Sequence, residues 1–353
     1  MLNNNIIRED ISNLAENFEI NEKFFGKNIL ITGGTGLIAS YLVSYFIFLN
    51  RKHNAKIRLF VNVRKKDRLI NKYGRTVLKE VIVIEKNVED LKINDITCDN
   101  LDYIYHLASP SSPSIITSNP TSIIKANIMG TFAVLEICKH FNSKLIFSST
   151  REVYGAFQDG KDLIFEEDMG TLQNLDLRAC YPESKRMAEN IIVSTAHESQ
   201  ISYKIARIAH VYGPGMAVKN DGRVMSDLIG NVIRNEDIVL LSDGTALRAF
   251  CYVSDAIFAL LYITLSNEGN VYNVANEQEE ISILDLSHKL INLSPNKNLK
   301  VLFKEEKNNI GYVSFRRVAL STKKLESLGW SPKTNLDEGL KKTILFNIKN
   351  TRV

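Results

Sequence analysis

A glycine-rich turn near the N-terminus separates an apolar strand pattern from an apolar helix pattern. The strand pattern covers residues 27–31, the turn reads TGGTGLIA over residues 32–39, and the helix pattern covers residues 37–48. Gly33 permits a tight turn, Gly36 lets the backbone approach a pyrophosphate at the helix N-terminus, and Ala39 is small enough for helix–strand packing. In this context the turn predicts a dinucleotide-binding site, which includes Gly33, Thr35, Gly36, Leu37 and Ile38.

Strand and helix patterns continue to alternate after this turn. Further strand patterns lie at residues 58–63, 81–84, 103–108, 145–149 and 203–208, and a long helix pattern covers residues 122–139. Alternating strands and helices with short connections favour a parallel sheet with helices on both faces. The predicted fold class is therefore α/β, a Rossmann-type doubly wound parallel sheet that binds its ligands at the carboxyl ends of the strands.

The patterns predict three regions. Residues 1–25 form an N-terminal helical extension, and we expect its amphipathic helix at residues 6–20 to pack outside the core. Residues 26–212 form the dinucleotide-binding domain. Residues 213–353 form mainly a smaller α/β substrate lobe, from which some segments, such as residues 271–275, return to a strand pattern. In this lobe we expect Ser282 to cap a helix and Trp330 to anchor the core.

Composition limits the classes of function. The chain has 353 residues, of which 44% are apolar and 24% charged, with a formal net charge of +4. So mild a charge, without a basic stripe interleaved with aromatics, argues against binding to nucleic acid. The four cysteines lack metal-ligand spacing, so we expect no metal site and a reduced, cytoplasmic protein. No apolar run reaches the ~18 residues of a membrane span, and we expect no membrane association.

Cations follow the second strand pattern, where NAD-selective sites usually have an acidic residue. Arg64, Lys65 and Lys66 would suit the 2′-phosphate of NADP(H), so the sequence leans towards NADP(H) over NAD(H); a solvated basic loop is the alternative. Other predicted cofactor contacts come after the later strands or on the next helix: Asn87 and Val88 near the adenine, then Leu107, Ala108, Ser109 and Ser148, with Asn127 bracing the site.

A tyrosine and a lysine stand four residues apart in the segment YPESK. If the segment is helical, Tyr181 and Lys185 lie on one face, one turn apart. The lysine charge would favour the phenolate and lower the tyrosine pKa from its usual ~10. Thr150, after the fifth strand pattern, can hydrogen-bond the substrate oxygen from which Tyr181 takes a proton. The alternative is a surface helix that carries this pair by chance.

With these motifs assembled, the chain resembles the extended short-chain dehydrogenase/reductase family of nucleotide-sugar epimerases, dehydratases and decarboxylases. The likeness runs over residues 27–340. It is carried by HLASPSSP at 106–113, RACY at 178–181, NDGRV at 220–224 and LRAFCYV at 247–253, which are most similar to segments of UDP-glucuronate decarboxylases. The resemblance implies a homodimeric, nicotinamide-dependent enzyme that acts at C4 of a nucleotide-diphosphate sugar, for surface polysaccharide biosynthesis.

The resemblance also implies roles for individual residues. Tyr181 is then the catalytic acid/base, while Lys185 binds the nicotinamide ribose and tunes the phenol. Thr150 polarises the C4 hydroxyl, and Glu152 works beside C5 and C6. The implied substrate-binding residues are Ser111, His210, Arg223, Arg248 and Arg317. Paired guanidinium groups, as Arg248 and Arg317 would supply, suit a diphosphate better than lysines do; surface salt bridges are the alternative.

Three departures from the family pattern affect the expected chemistry. Arg151 stands where decarboxylases have serine and dehydratases have an acidic aspartate, so a dehydratase is disfavoured. Arg151 could attract an anionic group of the sugar, or pair with Glu152 and keep that carboxylate ionised. His210 replaces the usual asparagine and could bind phosphate, shuttle protons or simply pack. The third departure is the basic end of the second strand.

The expected outcome depends on the substrate. Oxidation at C4 would let a glucuronate lose carbon dioxide or another sugar epimerise, whereas the basic loop favours the alternative of an NADPH-dependent reductase of a nucleotide-linked keto sugar. A non-catalytic NADP(H) sensor or scaffold is a third hypothesis. Such proteins usually lose the tyrosine or the lysine, and this chain retains both Tyr181 and Lys185.

Overall fold

Strands and helices alternate along most of the chain in a computed structural model, which describes residues 1–17, 21–157, 162–218, 222–304 and 319–351. In chain order the strands are β1 (Asn28–Thr32), β2 (Arg58–Val63), β3 (Ile82–Glu85), β4 (Tyr103–His106), β5 (Lys144–Thr150), β6 (Leu163–Ile164), β7 (Tyr203–Ile208), β8 (Val211–Tyr212), β9 (Ile238–Leu240), β10 (Leu247–Ala249), β11 (Cys251–Tyr252), β12 (Val271–Val274), β13 (Glu280–Ser282), β14 (Val301–Phe303) and β15 (Ala319–Leu320).

The α-helices are, in the same order, α1 (Asn5–Asn17), α2 (Leu37–His53), α3 (Lys66–Tyr73), α4 (Pro113–Ser118), α5 (Pro120–Phe141), α6 (Cys180–Ser199), α7 (Val224–Arg234), α8 (Val253–Leu265), α9 (Ile283–Leu293), α10 (Lys323–Glu326) and α11 (Leu336–Thr351). Short 3-10 helices connect several of these elements. One of them, Arg151–Tyr154, follows β5 directly, and another, Leu177–Ala179, leads into α6.

Seven strands form one parallel sheet in the order β12-β7-β5-β4-β1-β2-β3. The chain moves outward from β1 to β3, then returns to the other side of β1 with β4. The carboxyl ends of β1 and β4 therefore meet at the point where the strand order reverses, which is where open α/β sheets bind ligands. This topology confirms the predicted Rossmann-type fold class, with β12 as a seventh strand supplied by the C-terminal part of the chain.

Strand β1 is buried on both faces, because helices cover the sheet on both sides. Ile29 and Ile31 belong to one core, which includes residues of α2 and α8, whereas Leu30 belongs to a second core with residues of α5 and α6. Alternate side chains of a strand point to opposite faces, so a fully apolar strand requires two apolar layers. This explains why the pattern at residues 27–31 lacks polar alternation.

The N-terminal helix is part of the core, which corrects the expectation that it would pack outside. Ile7, Ile11 and Leu14 are buried in the core that contains α2 and α8. Asp10 is buried too; it accepts hydrogen bonds from Tyr41 (3.1 Å) and Tyr252 (2.7 Å), and Lys342 Nζ lies 2.9 Å from it. A carboxylate with these partners ties α1 to α2, β11 and α11. Residues 18–20 of the expected helix lie outside the described residues.

Two expectations for the C-terminal lobe are confirmed. Ser282 caps α9, because its hydroxyl accepts a hydrogen bond from the Asp285 backbone N–H. Trp330 is 2% exposed, and its indole N–H donates to the carbonyl oxygen of Asp255 at 3.1 Å. That bond satisfies the one polar atom of a buried indole, as burial requires.

Helix α5 is long and apolar enough to cross a membrane, judged by length and composition alone, and it is the one such helix among the described residues. The helix includes the charged residues Lys125, Glu136 and Lys139, so it is not an unbroken apolar run of the ~18 residues that a membrane span requires. Val134 and Ile137 of α5 are buried against the sheet, and the opposite face leaves Ile124, Met129 and Phe132 exposed. A helix that covers a sheet with one face and is apolar on the other passes the same composition test.

Candidate active site

The tyrosine and lysine of YPESK lie on α6, against the carboxyl end of β5. Tyr181 is 9% exposed and Lys185 is 2% exposed. The Lys185 ammonium donates to the backbone carbonyl of Ser148 at 2.7 Å and lies 4.4 Å from the centre of the Phe147 ring. The Thr150 side chain hydrogen-bonds the Tyr181 phenol. The structure thus brings Tyr181, Lys185 and Thr150 together at the edge of the sheet where ligands bind.

The direction of the Tyr181 pKa differs from the expectation. Burial raises this pKa above its ordinary value, and the Glu152 carboxylate raises it further; the Thr150 hydrogen bond and the Arg223 charge act in the opposite direction. Desolvation disfavours the phenolate, and it outweighs the nearby cation. The charges of Glu152 and Arg223 therefore act on the phenol in this structure.

Lys185 is itself strongly affected by burial. Removal from water lowers its pKa to about 7, while the negative charge of Glu189 acts to raise it. An ammonium with such a pKa is lost at a much lower pH than that of a free lysine, whose pKa is ~10.4. Whether Lys185 carries a charge near neutral pH therefore depends on its immediate neighbours.

The glycine turn has the shape that a dinucleotide requires. Gly33 has φ +69°, and a Cβ on it would lie 2.8 Å from the Cα of Ala108, so only glycine fits between β1 and the segment after β4. Gly36 precedes α2, whose first turn has neither a side-chain cap nor an acidic residue. Such a helix N-terminus binds an anion through its backbone N–H groups. Gly33, Thr35, Gly36, Leu37 and Ile38 thus fit the pyrophosphate of a nicotinamide dinucleotide, and each retains accessible surface.

A buried histidine connects the glycine turn to α5. Thr32 accepts hydrogen bonds from the backbone N–H groups of Leu107 and Ala108, both at 3.0 Å, so its own proton faces His106 Nδ1 at 3.0 Å. Thr131 donates to the Asn127 carbonyl and therefore accepts from His106 Nε2 at 3.3 Å. The ring is neutral and carries its proton on Nε2. Burial and the Lys185 charge lower its pKa to about 3.

Asn127, on α5, connects this helix to α6. It is 1% exposed, and its side-chain amide donates to the Ser184 hydroxyl at 2.9 Å, which in turn donates to the Tyr181 carbonyl at 3.0 Å. Among the described residues, no hydrogen-bond partner is found for its buried side-chain oxygen. Asn127 therefore links α5 to α6, and its role in bracing a cofactor site stays a prediction. Ser148, from the same prediction, hydrogen-bonds the His106 carbonyl at 3.3 Å.

The predicted adenine-side residues have different environments. Arg64 and Lys65 are exposed and follow β2 directly. Asn87 is bonded to Asp90, whereas Val88 is 5% exposed and packs where a Cβ on Gly130 would meet it at 2.7 Å. Val88 is thus a core residue, placed there because the glycine of α5 opens a gap for it. Leu107, Ala108 and Ser109 are half-buried after β4.

The predicted substrate residues fall into two groups. Arg223, at the start of α7, acts on the Tyr181 charge, whereas Ser111 is exposed before α4. Arg151, His210 and Arg248 line one small pocket, and His210 donates from Nδ1 to the Ala249 carbonyl at 3.2 Å. Glu280 lines the same pocket, and both roles considered for Arg151 stay predictions. Arg317 lies outside the described residues.

The sequence reasoning missed a buried ion pair behind these residues. Glu189 and Arg207 are 9% and 8% exposed, and their side chains are joined by two hydrogen bonds of 3.0 and 2.7 Å. The spacing of Tyr181, Lys185 and Glu189, four residues apart each time, contained the signal, because it places all three on one helix face.

The chain was compared with known families and proteins. Residues 29–275 match the NAD dependent epimerase/dehydratase family. UDP-glucuronic acid decarboxylase 6 of Arabidopsis thaliana is 32% identical over 91% of this chain and 89% of its own length. UDP-glucuronic acid decarboxylase 1 of Xenopus tropicalis is 32% identical over 96% of this chain and 78% of its own length.

Solved structures are similar in fold. UDP-glucose 4-epimerase from Thermotoga maritima, with UDP-glucose, superposes with a TM-score of 0.77 and 24% identity over 92% of this chain and 99% of that one. UDP-glucuronic acid 4-epimerase from Bacillus cereus, in complex with NAD, has a TM-score of 0.74 and 23% identity over 92% and 97% of the two chains.

The chain belongs to the NAD dependent epimerase/dehydratase family. Membership confirms the family resemblance and, at the level of the family, a nicotinamide-dependent enzyme. The preference for NADP(H) over NAD(H) stays a prediction.

Gly33→Ala is expected to abolish measurable dinucleotide binding, because the new methyl group would collide with the backbone of Ala108. Titration with NADH and NADPH, followed by fluorescence, measures this loss. Gly26→Ala is a matched control: Gly26 has φ +70° but open space around it, so that variant should lose only the ~1–2 kcal/mol of a left-handed backbone and still bind. Undiminished binding by Gly33→Ala would contradict the assignment of the turn.

Proposed function

We propose that this protein modifies a nucleotide-diphosphate sugar by nicotinamide-dependent oxidation and reduction at C4, as a decarboxylase or an epimerase. The observation that carries the proposal is the joint position of Tyr181, Lys185 and Thr150 at the carboxyl end of β5. The identity of about one third with UDP-glucuronic acid decarboxylases supports this substrate class. So does the fold shared with UDP-sugar 4-epimerases.

The chain's own residues would move and hold the proton at the C4 oxygen. The Tyr181 hydroxyl lies beside Thr150, so one sugar hydroxyl can meet both groups at once. Tyr181 would take the proton as a phenolate, after it has lost its own proton, and Thr150 would fix the direction from which the C4 proton comes. Lys185 would hold the nicotinamide ribose, next to Tyr181 on α6. When bound, the nicotinamide supplies the hydride acceptor and donor, which protein side chains cannot provide.

Burial of Tyr181 determines how strongly its phenol binds a proton. Because Tyr181 has a raised pKa, the phenol strongly retains its proton, and a negative charge on it requires cationic support. Arg223 already acts in this sense in the structure. A phenolate formed there is a strong base towards the C4 hydroxyl, because the raised pKa favours uptake of a proton.

The fate of the sugar would depend on its C5 substituent. A ketone at C4 makes a C5 carboxylate a good leaving group, so a glucuronate would lose carbon dioxide, whereas another sugar would be reduced again, with or without inversion. Glu152 is the carboxylate nearest to this chemistry by its action on Tyr181. One pocket among the described residues is lined by the two arginines Arg151 and Arg248 and by a single carboxylate, Glu280, and this excess of guanidinium groups supports a substrate with an anionic group.

A second candidate is an NADPH-dependent reductase of a nucleotide-linked keto sugar. The exposed Arg64 and Lys65 at the end of β2 favour it, because cations there suit a 2′-phosphate. Both candidates use the same Tyr181 chemistry and differ in the cofactor that is consumed.

Tyr181→Phe should abolish turnover and leave dinucleotide affinity nearly unchanged, because it removes only the oxygen that exchanges the proton. Wild type and variant would be incubated with NAD or NADPH and a panel that includes UDP-glucuronate and UDP-glucose, and products identified by mass spectrometry. Tyr203→Phe, at the amino end of β7, is the matched control and should remain active. Turnover by Tyr181→Phe close to wild type would reject the mechanism, and no turnover of any nucleotide sugar by the wild type would reject the substrate class.

Arg64→Ala should weaken NADP(H) binding more than NAD(H) binding, by up to ~2–3 kcal/mol if the guanidinium contacts the 2′-phosphate. Calorimetric titration of both cofactors measures the difference. Arg68→Ala removes an exposed cation of the neighbouring helix and should change neither affinity selectively. Equal effects of Arg64→Ala on the two affinities would show that Arg64 does not contact a 2′-phosphate, and would favour the alternative of a solvated basic loop.

We also propose that two copies associate through α5 and α6. Both helices leave large apolar side chains on the surface, with exposed fractions of 42–52%: Ile124, Met129 and Phe132 on α5, and Met187 and Val193 on α6. Contiguous exposed apolar surface of this kind is typical of an interface.

Phe132→Asp should convert the dimer to a monomer, because a carboxylate would be buried without a partner at the interface. Sedimentation equilibrium measures the mass. Leu345→Asp is the matched control, since Leu345 is 41% exposed but lies on α11. A wild-type mass of one chain would end the dimer proposal.

A further inference from the structure

Three consecutive residues of β5 are each held by a residue of α6. The Ser148 carbonyl accepts from Lys185, the Thr150 side chain hydrogen-bonds Tyr181, and between them the Ser149 hydroxyl donates to the Glu189 carboxylate in a very short hydrogen bond. The first two contacts belong to the site described above. The third joins the same strand and the same helix through a side chain that has no part in the proposed chemistry.

Glu189 is held in place by an arginine on the next strand. Ser149 on β5 stands opposite Arg207 on β7 in the register of the sheet. Arg207 donates from Nε and Nη2 to the two carboxylate oxygens of Glu189, and from Nη1 to the Glu166 carbonyl at 2.8 Å. Its guanidinium also lies 4.7 Å from the centre of the Tyr154 ring. The carboxylate can therefore hardly rotate.

The position of this carboxylate gives it an effect on the lysine. Glu189 follows Lys185 by one helical turn, on the same face of α6. The other groups around the ammonium carry no negative charge: the Phe147 ring and the Ser148 carbonyl on β5, the neutral His106 on β4 and the protonated Tyr181 on α6. Glu189 is the one carboxylate that acts on Lys185 among the described residues.

A purely structural role explains this arrangement poorly. A buried ion pair loses hydration that its mutual attraction only partly offsets, and apolar side chains of similar volume often serve stability equally well. The pair is nevertheless built directly behind Ser149, where the carboxylate of Glu189 acts on Lys185.

We propose that Glu189, clamped by Arg207, is a positioning residue that ties α6 to the end of β5 through Ser149 and supplies a negative charge that favours the ammonium form of Lys185. The expected effect of Glu189 on the turnover rate rests on the proposed function. The expected effect of Glu189 on the protonation of Lys185 does not, because it is a property of the protein without cofactor or substrate.

Titration of Lys185 in the cofactor-free protein tests this inference. The ¹³Cε signal of Lys185, assigned by its loss in a Lys185→Met variant, reports the protonation of the ammonium. The wild-type midpoint is expected near pH 7, as burial dictates. Glu189→Gln should move it about one pH unit lower, because the neutral amide no longer favours the charged form. Glu189→Asp retains the charge and should return the midpoint towards that of the wild type.

Two further variants separate charge from folding. Asp10→Asn breaks the other buried ion pair described here, with Lys342, and should lower stability without moving the Lys185 midpoint. Glu189→Gln leaves Arg207 buried without its carboxylate; should it fail to fold, Glu189→Gln/Arg207→Met removes both charges and should move the midpoint in the same direction by a smaller amount, because loss of the Arg207 cation favours the ammonium. A midpoint equal to that of the wild type in every folded Glu189 variant overturns the proposal.

Turnover gives a second readout. At pH 8 the rate of Glu189→Gln should be about tenfold below that of the wild type, the effect of one pH unit, and it should recover at lower pH. A merely structural defect would lower the rate equally at every pH and so overturn the proposal. Should no nucleotide sugar be turned over by any variant, the proposed function fails, while the titration of Lys185 still decides the role of Glu189.

Discussion

The carboxyl end of β5 meets the face of α6 through groups that are costly to bury. Lys185, Glu189 and Arg207 are each less than one tenth exposed. An ammonium without counter-charge would become neutral in such a place, and a carboxylate without donors would take up a proton. Hydrogen-bond partners are present for all three groups: Ser149 and Arg207 donate to Glu189, and Lys185 donates to the Ser148 carbonyl. The register between β5 and β7 places Ser149 opposite Arg207. It therefore allows both residues to hydrogen-bond the Glu189 carboxylate.

The same edge of the sheet contains the dinucleotide turn, and packing connects the two. Thr32 at the end of β1 accepts hydrogen bonds from the backbone after β4 and contacts His106. His106 in turn hydrogen-bonds Thr131 on α5, which donates to the Asn127 carbonyl. Asn127 then reaches Ser184, next to Lys185 on α6. This chain of neutral hydrogen bonds fixes the distance between the turn and the tyrosine, because each buried group has a specific partner. A cofactor that bridges both sites needs that distance to be constant.

Local patterns predicted the parts of the molecule that obey local rules. Apolar runs bounded by turns identified the strands, and the glycine turn identified the dinucleotide site, since only glycine tolerates φ +69° beside Ala108. Helix α1 was misplaced because an amphipathic pattern shows that one face is buried, but not against which neighbour. The neighbours of the buried face of helix α5, such as Val88 beneath Gly130, are likewise decided only by tertiary packing.

The sequence by itself determined the fold class, the family and the positions of Tyr181, Lys185 and Thr150 at the ends of their elements. These properties follow from the order and spacing of residue types along the chain. Tertiary structure alone decided the electrostatics: the raised pKa of Tyr181, the lysine held near pH 7, the neutral His106 and the grouping of Arg151 with His210 and Arg248. The reason is physical. The free energy of a charge depends on how much water surrounds it and on which charges stand nearby in space, and both are known only after distant segments have packed together.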